Sequence, residues 1–199
     1  GATLDESASW WTFDGREPTA ADYDAIGSTV TRTMTPGEYT VRFKTVYDEK
    51  AYEVKKEKWF VLYGETVYVN PNCTRPAVPY ASWETAATNI NDALKCLVAG
   101  STMVVSDGVY RVTSEQNLNR QVTIRSLNGP TVTKFTGSRP FHLNSSLATV
   151  AGFAFEKLDM WDGGAMRISN GTVSNCVFAS CVVQNGGGAA VYMKAGTVV

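Results

Sequence analysis

The sequence predicts a mainly β protein whose C-terminal half is a parallel β-helix. Short apolar runs recur about every 24 residues, and their length of three to seven residues suits strands rather than helices. Glycine and asparagine separate the runs, as the corners of a coil require. Several segments also repeat in one register, which an ordinary β-sandwich would show only by accident. Each repeat is therefore interpreted as one coil of a solenoid.

The repeated segments predict which residues stack between coils. Residues 141–144 are matched 25 residues later by 166–169, and these are matched by 191–194 after the same interval. Residues 149–155 are matched by 172–178, and a further copy starts at Thr197; Gly163-Gly164-Ala165 recurs as Gly187-Gly188-Ala189. Coils stack about 4.8 Å apart, so matching residues should lie on top of one another. The expected stacks are Phe153 with Cys176, Phe155 with Phe178, and Ile168 with Met193, with Phe153 and Phe155 facing inward.

Residues 1–66 are expected to form antiparallel β-structure. Residues 28–34 and 39–46 alternate between apolar and polar side chains, with a turn at 35–38 between them. A second turn is predicted at 48–50. The charged run at 53–58 is typical of a solvated strand face or a guarded sheet edge, not of a binding patch.

Two motifs in this first segment resemble a known domain. Ser9-Trp10-Trp11-Thr12-Phe13-Asp14-Gly15 precedes Thr35-Pro36-Gly37-Glu38-Tyr39-Thr40-Val41. Together they resemble the second half of a PKD-type immunoglobulin-like domain over about residues 9–62, although one glycine before Asp14 is missing. The family has two further strands ahead of the tryptophan. The resemblance therefore implies an immunoglobulin-like β-sandwich that is incomplete at its N-terminus.

Residues 67–100 form a junction with a short amphipathic helix. Thr88 is the expected N-cap, Gly100 is expected to end the helix, and one face carries Ile90, Ala93, Leu94 and Leu97. Three consecutive features resemble the start of the β-helix in bacterial secreted right-handed parallel β-helix, or pectate-lyase-like, proteins. They are Tyr68-Val69-Asn70-Pro71-Asn72, the helix, and Asp107-Gly108-Val109-Tyr110. That resemblance implies a right-handed β-helix over 101–199 whose open end is capped by the helix.

The bulk composition excludes several classes of function. The chain has 18 basic and 19 acidic residues and no dense basic cluster, so no nucleic acid partner is expected. It has no apolar run long enough for membrane insertion. Abundant Thr, Val, Gly, Ser and Asn with a single His are typical of a secreted β-rich protein, so the predicted location is extracellular or at the cell surface.

The four cysteines do not have zinc-binding spacing, and neither a metal nor a cofactor is predicted. Cys96, at the edge of the predicted helix, is expected to reach back to Cys73. Such a disulfide would close a loop of about 23 residues and contribute about 3 kcal/mol. Cys176 is expected to be a buried apolar thiol, and Cys181 to face a different wall.

No catalytic residue is predicted. The ionisable candidates are Lys157, Asp159, Asp162 and Arg167 in one coil, and the next coil places Ser180, Gln184, Asn185 and Tyr192 at comparable positions. No second layer of acidic or basic side chains is therefore expected to stack on the ionisable residues of the first of these two coils. The single His142 should point outward and be an ordinary surface residue.

Exposed aromatic side chains are the candidates for glycan stacking or for an interface: Trp10, Trp11 and Trp161. Trp10 and Trp11 are adjacent, so both cannot face inward on one strand. One of them must face solvent or pack against a neighbouring module, and an interdomain contact or core position is favoured over glycan binding.

These observations together predict a non-catalytic extracellular or cell-surface module with a structural or adhesive role. Its expected partners are further domains of the same or neighbouring chains, and polysaccharide or cell-surface glycan. Open β edges at both ends also predict assembly with neighbouring subunits through added strands. The alternative is a fragment of a carbohydrate-active enzyme, either a polysaccharide lyase or a glycoside hydrolase, whose active-site coils lie beyond Val199.

Overall fold

The computed structural model describes residues 6–161, 164–185 and 188–199. Three residues that the sequence predicts at solvated or corner positions lie outside the described residues: Asp162, Gly163 and Gly187. The chain divides into two compact units, Gly1–Leu62 and Tyr63–Val199. Both units consist mainly of β-strands.

The described part of the first unit forms a single antiparallel sheet with the strand order β2-β1-β3-β4. A 3₁₀ turn at Glu6–Ala8 precedes it. The strands are β1 (Ser9–Thr12), β2 (Ala25–Ile26), β3 (Gly37–Tyr47) and β4 (Lys50–Leu62). Residues 6–62 provide no second sheet to pack on the first, so the predicted immunoglobulin-like sandwich is not confirmed.

The prediction of a strand at 28–34 is wrong, because this segment has no ladder partner. β1 already pairs with β2 on one side and β3 on the other. Side-chain contacts hold the segment instead: the Arg32 guanidinium lies 5.3 Å from the centre of the Phe13 ring and 3.7 Å from Asp24. Alternation of apolar and polar residues was therefore not sufficient to form a strand in this segment.

The hairpin of β3 and β4 matches the sequence prediction. Its turn residues Asp48 and Glu49 have φ values of 50° and 57°, the left-handed conformation typical of a two-residue type I′ turn. β4 lies at the edge of the sheet, and its charged run is exposed on both faces. Repeated lysines on an open edge disfavour uncontrolled pairing with other chains.

The second unit contains one helix and the remaining described strands. Their bounds are β5 (Thr66–Val69), α1 (Ile90–Lys95), β6 (Thr102–Val105), β7 (Gly108–Val112), β8 (Gln116–Leu118), β9 (Val122–Ser126), β10 (Thr133–Gly137), β11 (Phe141–Ala151), β12 (Ala154–Met160), β13 (Met166–Ser174), β14 (Val177–Ala179), β15 (Val182–Val183), β16 (Val191–Met193) and β17 (Thr197–Val198).

These strands build a parallel β-solenoid of about four turns. An eight-stranded sheet has the main order β16-β13-β11-β9-β6-β5, and a five-stranded sheet has the main order β14-β12-β10-β7. The predicted register is confirmed where the repeat is clear. Phe155 is the ladder partner of Phe178, Ile168 of Met193, and Thr172 of Thr197.

The core of the solenoid is a continuous apolar cluster with aromatic rings at its centre. Phe153 and Phe155 are fully buried, as alternation predicts. The Phe135 ring centre lies 5.0 Å from that of Phe153 and 5.6 Å from that of Phe155, and Phe178 continues the stack beyond Phe155. Cys176 and Cys181 are partly buried and pack against the same cluster. Coil stacking therefore aligns the largest side chains along the axis of the solenoid.

The N-cap of helix α1 lies one residue later than predicted. Asn89, not Thr88, is the N-cap, and its side-chain oxygen accepts a hydrogen bond from the Asp92 N–H at 2.9 Å. The helix ends at Lys95 with Cys96 as its C-cap, before the predicted Gly100, and its buried face joins the core beside β5. Within the described ranges, no helix is long and apolar enough to cross a membrane.

Candidate functional site

Turns from three successive coils form a cleft on the solenoid surface. They lead from the five-stranded sheet into the eight-stranded sheet, at 113–115, 138–139 and 159–161. The cleft has a volume of about 290 Å³. Its lining residues, which we call the corner cleft, are Thr113, Ser114, Glu115, Ser138, Arg139, Asp159, Met160 and Trp161.

Trp161 is the most exposed large aromatic side chain of the described residues, with 70% of its surface accessible. It follows the buried Met160 at the end of β12. The next coil holds this backbone in place, because the Gln184 N–H donates to the Met160 carbonyl at 3.0 Å and the Asn185 N–H donates to the Trp161 carbonyl at 2.8 Å. A large apolar side chain is thereby placed at the rim of a polar cleft.

The floor of the corner cleft contains a two-point ion pair between Glu115 and Arg139. Arg139 Nε donates to Glu115 Oε1 at 2.8 Å, and one terminal nitrogen donates to Oε2 at 3.1 Å. The other terminal nitrogen donates to the Gly164 carbonyl at 3.1 Å. Arg139 is only 8% exposed, so its charge depends on these oxygens for compensation.

Asp159 is the second carboxylate of the cleft. Its Oδ1 accepts a hydrogen bond from Gln184 Nε2 at 3.0 Å. The sequence predicts these two residues at comparable positions of neighbouring coils. Both cleft carboxylates are thus oriented by a neighbouring coil and keep further lone pairs for a ligand. Carboxylates held in this way can bind the hydroxyl groups of a ligand, while the exposed aromatic ring beside them stacks on an apolar face of the same ligand.

The earlier coils correct one sequence expectation. Oppositely charged side chains do stack between coils: Glu115 pairs with Arg139, and Lys134 Nζ lies 2.9 Å from Glu156 Oε1. The members of these pairs are separated by 24 and 22 residues, close to the repeat period. Comparing only the last two coils missed them. A search for opposite charges at the repeat interval along the whole solenoid would have found both.

A row of polar side chains runs along the outer face of the eight-stranded sheet. His142 is the ladder partner of Asn117 on one side and of Arg167 on the other, and Arg167 is the partner of Tyr192. We call Asn117, His142, Arg167 and Tyr192 the polar column. His142 lies between the fully buried Phe141 and Leu143, which confirms that it points outward.

His142 is held more firmly than an ordinary surface histidine. Its Nε2 lies 2.8 Å from Ser169 Oγ, within hydrogen-bonding distance. Partial burial lowers the pKa of His142, the nearby Glu115 raises it, and the positive charges of Arg167, Arg139 and Lys194 lower it further. The net shift of the His142 pKa is downward, which favours the neutral imidazole.

The other predicted aromatic candidates have different environments. The Trp11 ring packs 4.4 Å from the Phe43 ring, and its Nε1 donates to the Gly27 carbonyl at 2.7 Å. These contacts hold Trp11 within the N-terminal sheet. Trp10 is half-buried on the opposite face of β1, where Ile26 and Lys44 are its ladder partners.

All four cysteines lie in the described ranges and are free thiols. The predicted Cys73–Cys96 disulfide is not formed in the structure. The Cys73 thiol donates to the Glu84 carbonyl at 3.4 Å, whereas Cys96 is buried at the end of α1. Burial raises the pKa of the Cys96 thiol.

A second cleft, also of about 290 Å³, lies in the N-terminal unit around Arg16. Arg16 makes ion pairs with Asp14, Asp22 and Asp24, so its guanidinium is already engaged by three carboxylates of the chain itself. Residues 6–161, 164–185 and 188–199 contain no group of three or more His, Cys, Asp or Glu side chains placed to bind a metal ion. The corner cleft is therefore the better candidate site.

Comparisons with protein-family models, with curated proteins and with solved structures found no match for this chain. The functional assignment consequently depends on the geometry of the corner cleft and the polar column.

Proposed function

We propose that the chain is a non-catalytic extracellular or cell-surface module that binds glycans in the corner cleft. The observation that carries this proposal is the exposed Trp161 ring fixed beside Asp159 and the Glu115–Arg139 pair. Sugar rings have an apolar C–H face that stacks on tryptophan and hydroxyl groups that bind carboxylates and guanidinium groups. The cleft offers both kinds of contact.

Binding is favoured over catalysis by the state of the charged groups. Glu115 and Glu156 each face a basic side chain from the neighbouring coil, and Asp159 accepts a hydrogen bond from Gln184. General acid catalysis of glycoside cleavage requires a carboxyl group that stays protonated near neutral pH. Glu115 and Glu156 instead have oxygens engaged by the basic side chains that face them, so neither is placed as an unpartnered carboxyl group.

The proposed architecture extends the sequence resemblances. We propose that the solenoid is right-handed, the hand of nearly all parallel crossover connections. We also propose that α1 caps its N-terminal end. The buried face of α1 packs beside β5, the last strand in the order of the eight-stranded sheet, which supports this role. The N-terminal sheet would then be a PKD-related module joined to this end.

The glycan-binding proposal is tested with the Trp161→Ala variant. The unmodified chain is applied to a glycan array, and the best glycan is titrated by isothermal calorimetry. We expect an affinity loss of about tenfold or more for Trp161→Ala, because the stacking ring is removed. Trp59→Ala is the matched control, since Trp59 is an exposed tryptophan outside the cleft. Absence of any bound glycan, or equal losses for both variants, would refute the proposal.

A further inference from the structure

Strand β4 leaves one long edge of the N-terminal sheet unpaired. It is the last strand in the order β2-β1-β3-β4, with β3 on its other side. Residues 50–59 are all exposed, and no further strand of the described chain pairs with them. The free N–H and C=O groups of such an edge are a template for another extended strand.

Two copies of β4 that pair as a closed dimer must be antiparallel and related by a two-fold axis. Because the axis is perpendicular to the sheet, each register is defined by the one residue that lies opposite its own copy. Residues directly opposite each other share a face, where unlike charges stabilise the pair and like charges destabilise it. The charged run at 53–58 therefore discriminates between the registers.

Most centres along β4 are disfavoured. A register centred on a charged residue faces that side chain with its own copy, which disfavours four centres: Glu53, Lys55, Lys56 and Glu57. Registers centred on 50–52 reach the hairpin turn at 48–49 after a few residues, so they form fewer ladder pairs. At the other end, Lys58 has a φ of 46°, which interrupts the extended backbone. Val54 is the centre that remains.

The register centred on Val54 brings unlike charges together. Glu53 lies opposite Lys55 of the second copy, and the symmetry repeats this pair on the other side of the axis. Val54 packs on its own copy, and Tyr52 lies opposite Lys56 of the second copy. In the single chain Val54 and Tyr52 are 52% and 51% exposed, so pairing covers apolar surface as well.

The contacts within one chain leave atoms available for these pairs. Arg42 engages Glu53 through Oε1, and the other carboxylate oxygen has no partner among the described contacts. Lys55 Nζ donates to Glu57 Oε1 at 2.7 Å and has two further N–H donors. Each side chain can therefore join the second copy without losing its present partner.

We propose that β4 pairs with β4 of a second copy of this chain in the register centred on Val54, so that two N-terminal sheets form one continuous sheet. The charged run rejects the competing registers and favours this one. The pairing involves only the N-terminal unit and is independent of the glycan-binding function proposed for the corner cleft.

The test reverses the charges of the full chain and measures self-association by sedimentation velocity over a concentration series. Glu53→Lys and Lys55→Glu each replace two attractive pairs by two repulsive ones, so each should weaken dimerisation about tenfold or more. A mixture of the two variants restores attraction at both pairs and should dimerise within about threefold of the unmodified chain. Lys55→Glu retains the Arg42–Glu53 ion pair, so its effect does not arise from loss of that contact.

The matched control is the pair Glu57→Lys and Lys56→Glu. These variants carry the same changes in net charge on the same strand, but the register places them opposite Ala51 and Tyr52 of the second copy. Mixing them should change dimerisation by no more than about twofold relative to either variant alone. Equal recovery in both mixtures would indicate general charge attraction and overturn the register.

Three other results would overturn the proposal. The unmodified chain could remain monomeric at every concentration. It could form a dimer that neither Glu53→Lys nor Lys55→Glu weakens, which would place the interface elsewhere. It could also stay monomeric and bind an extended polyglutamate peptide through the β4 lysines, in which case the occupant of the edge is not a second copy.

Discussion

Phe155 and Phe178 stack with their ring centres 5.0 Å apart and their planes inclined by only 12°. They are ladder partners on adjacent strands β12 and β14, although a complete coil separates them in the chain. This relationship links the repeat period of the sequence directly to the packing of the core. It also locates the positions where a small change in side-chain volume should be most costly.

The substitution Phe155→Ala should destabilise the solenoid by about 3–5 kcal/mol, because Phe155 is fully buried between Phe135 and Phe178. Phe178→Ala should cost less, since Phe178 is only partly buried at the end of the stack. Urea unfolding followed by circular dichroism measures both values. Equal losses for the two variants would contradict the proposed gradient of packing along the stack.

Gly137 and Gly129 provide a matched pair of backbone positions. Both have positive φ, +95° and +94°, but a Cβ atom at Gly137 would overlap the Val112 carbonyl oxygen, whereas nothing lies within 4 Å of one at Gly129. Gly129→Ala should cost about 1–2 kcal/mol from backbone strain alone. Gly137→Ala should cost clearly more. If thermal unfolding shows the same loss of stability for both variants, it would contradict the close approach of the coils at Gly137.

The ion pair of Glu115 and Arg139 should matter more for stability than the other stacked pair. Glu115→Gln would remove the two-point ion pair of the buried Arg139, and we expect a loss of about 1–3 kcal/mol, below the range for fully buried pairs because Glu115 is partly accessible. Glu156→Gln disrupts the more exposed pair with Lys134 and should cost less than about 1 kcal/mol. Urea titration of both variants tests the order, and a larger effect for Glu156→Gln would reverse it.

Thiol chemistry tests the state of the cysteines. The structure has free thiols at Cys73, Cys96, Cys176 and Cys181, so a thiol assay on the unreduced, denatured chain should count all of them. In the native chain Cys73 should react first, because burial raises the pKa of the other three thiols and limits access to them. A count of only two thiols before reduction would instead support the Cys73–Cys96 disulfide that the sequence predicts.

The clear repeats made the stacking of Phe155 on Phe178 and of Ile168 on Met193 predictable, because coil length sets the register. The pair of Glu115 and Arg139 was missed, since the residues around it do not repeat and only the interval identifies it. The strand expected at 28–34 failed for another reason: alternation describes a single strand and does not show that a neighbouring strand pairs with it. Trp161 was named from the sequence as a candidate exposed aromatic, but the cleft beside it could not be predicted because residues from three coils line it.

The single His142 makes the polar column accessible to a direct measurement. Its pKa is lowered, so the unfolded chain binds the proton more readily than the folded chain. Stability should therefore be fully present above the ordinary histidine value of 6.5 and decrease as the pH falls through that value toward the lower folded pKa. His142→Gln should remove this component of the pH dependence, which thermal unfolding between pH 5 and pH 8 would show.

The same histidine reports on its neighbours by NMR, because the chain has no other imidazole to obscure its titration. Arg167 lowers the pKa of His142 through its positive charge, so Arg167→Gln should move the measured pKa upward. Arg125→Gln removes a charge elsewhere on the sheet and should leave the value nearly unchanged. Equal shifts in both variants, or no shift in Arg167→Gln, would mean that Arg167 does not lie beside His142 in the polar column.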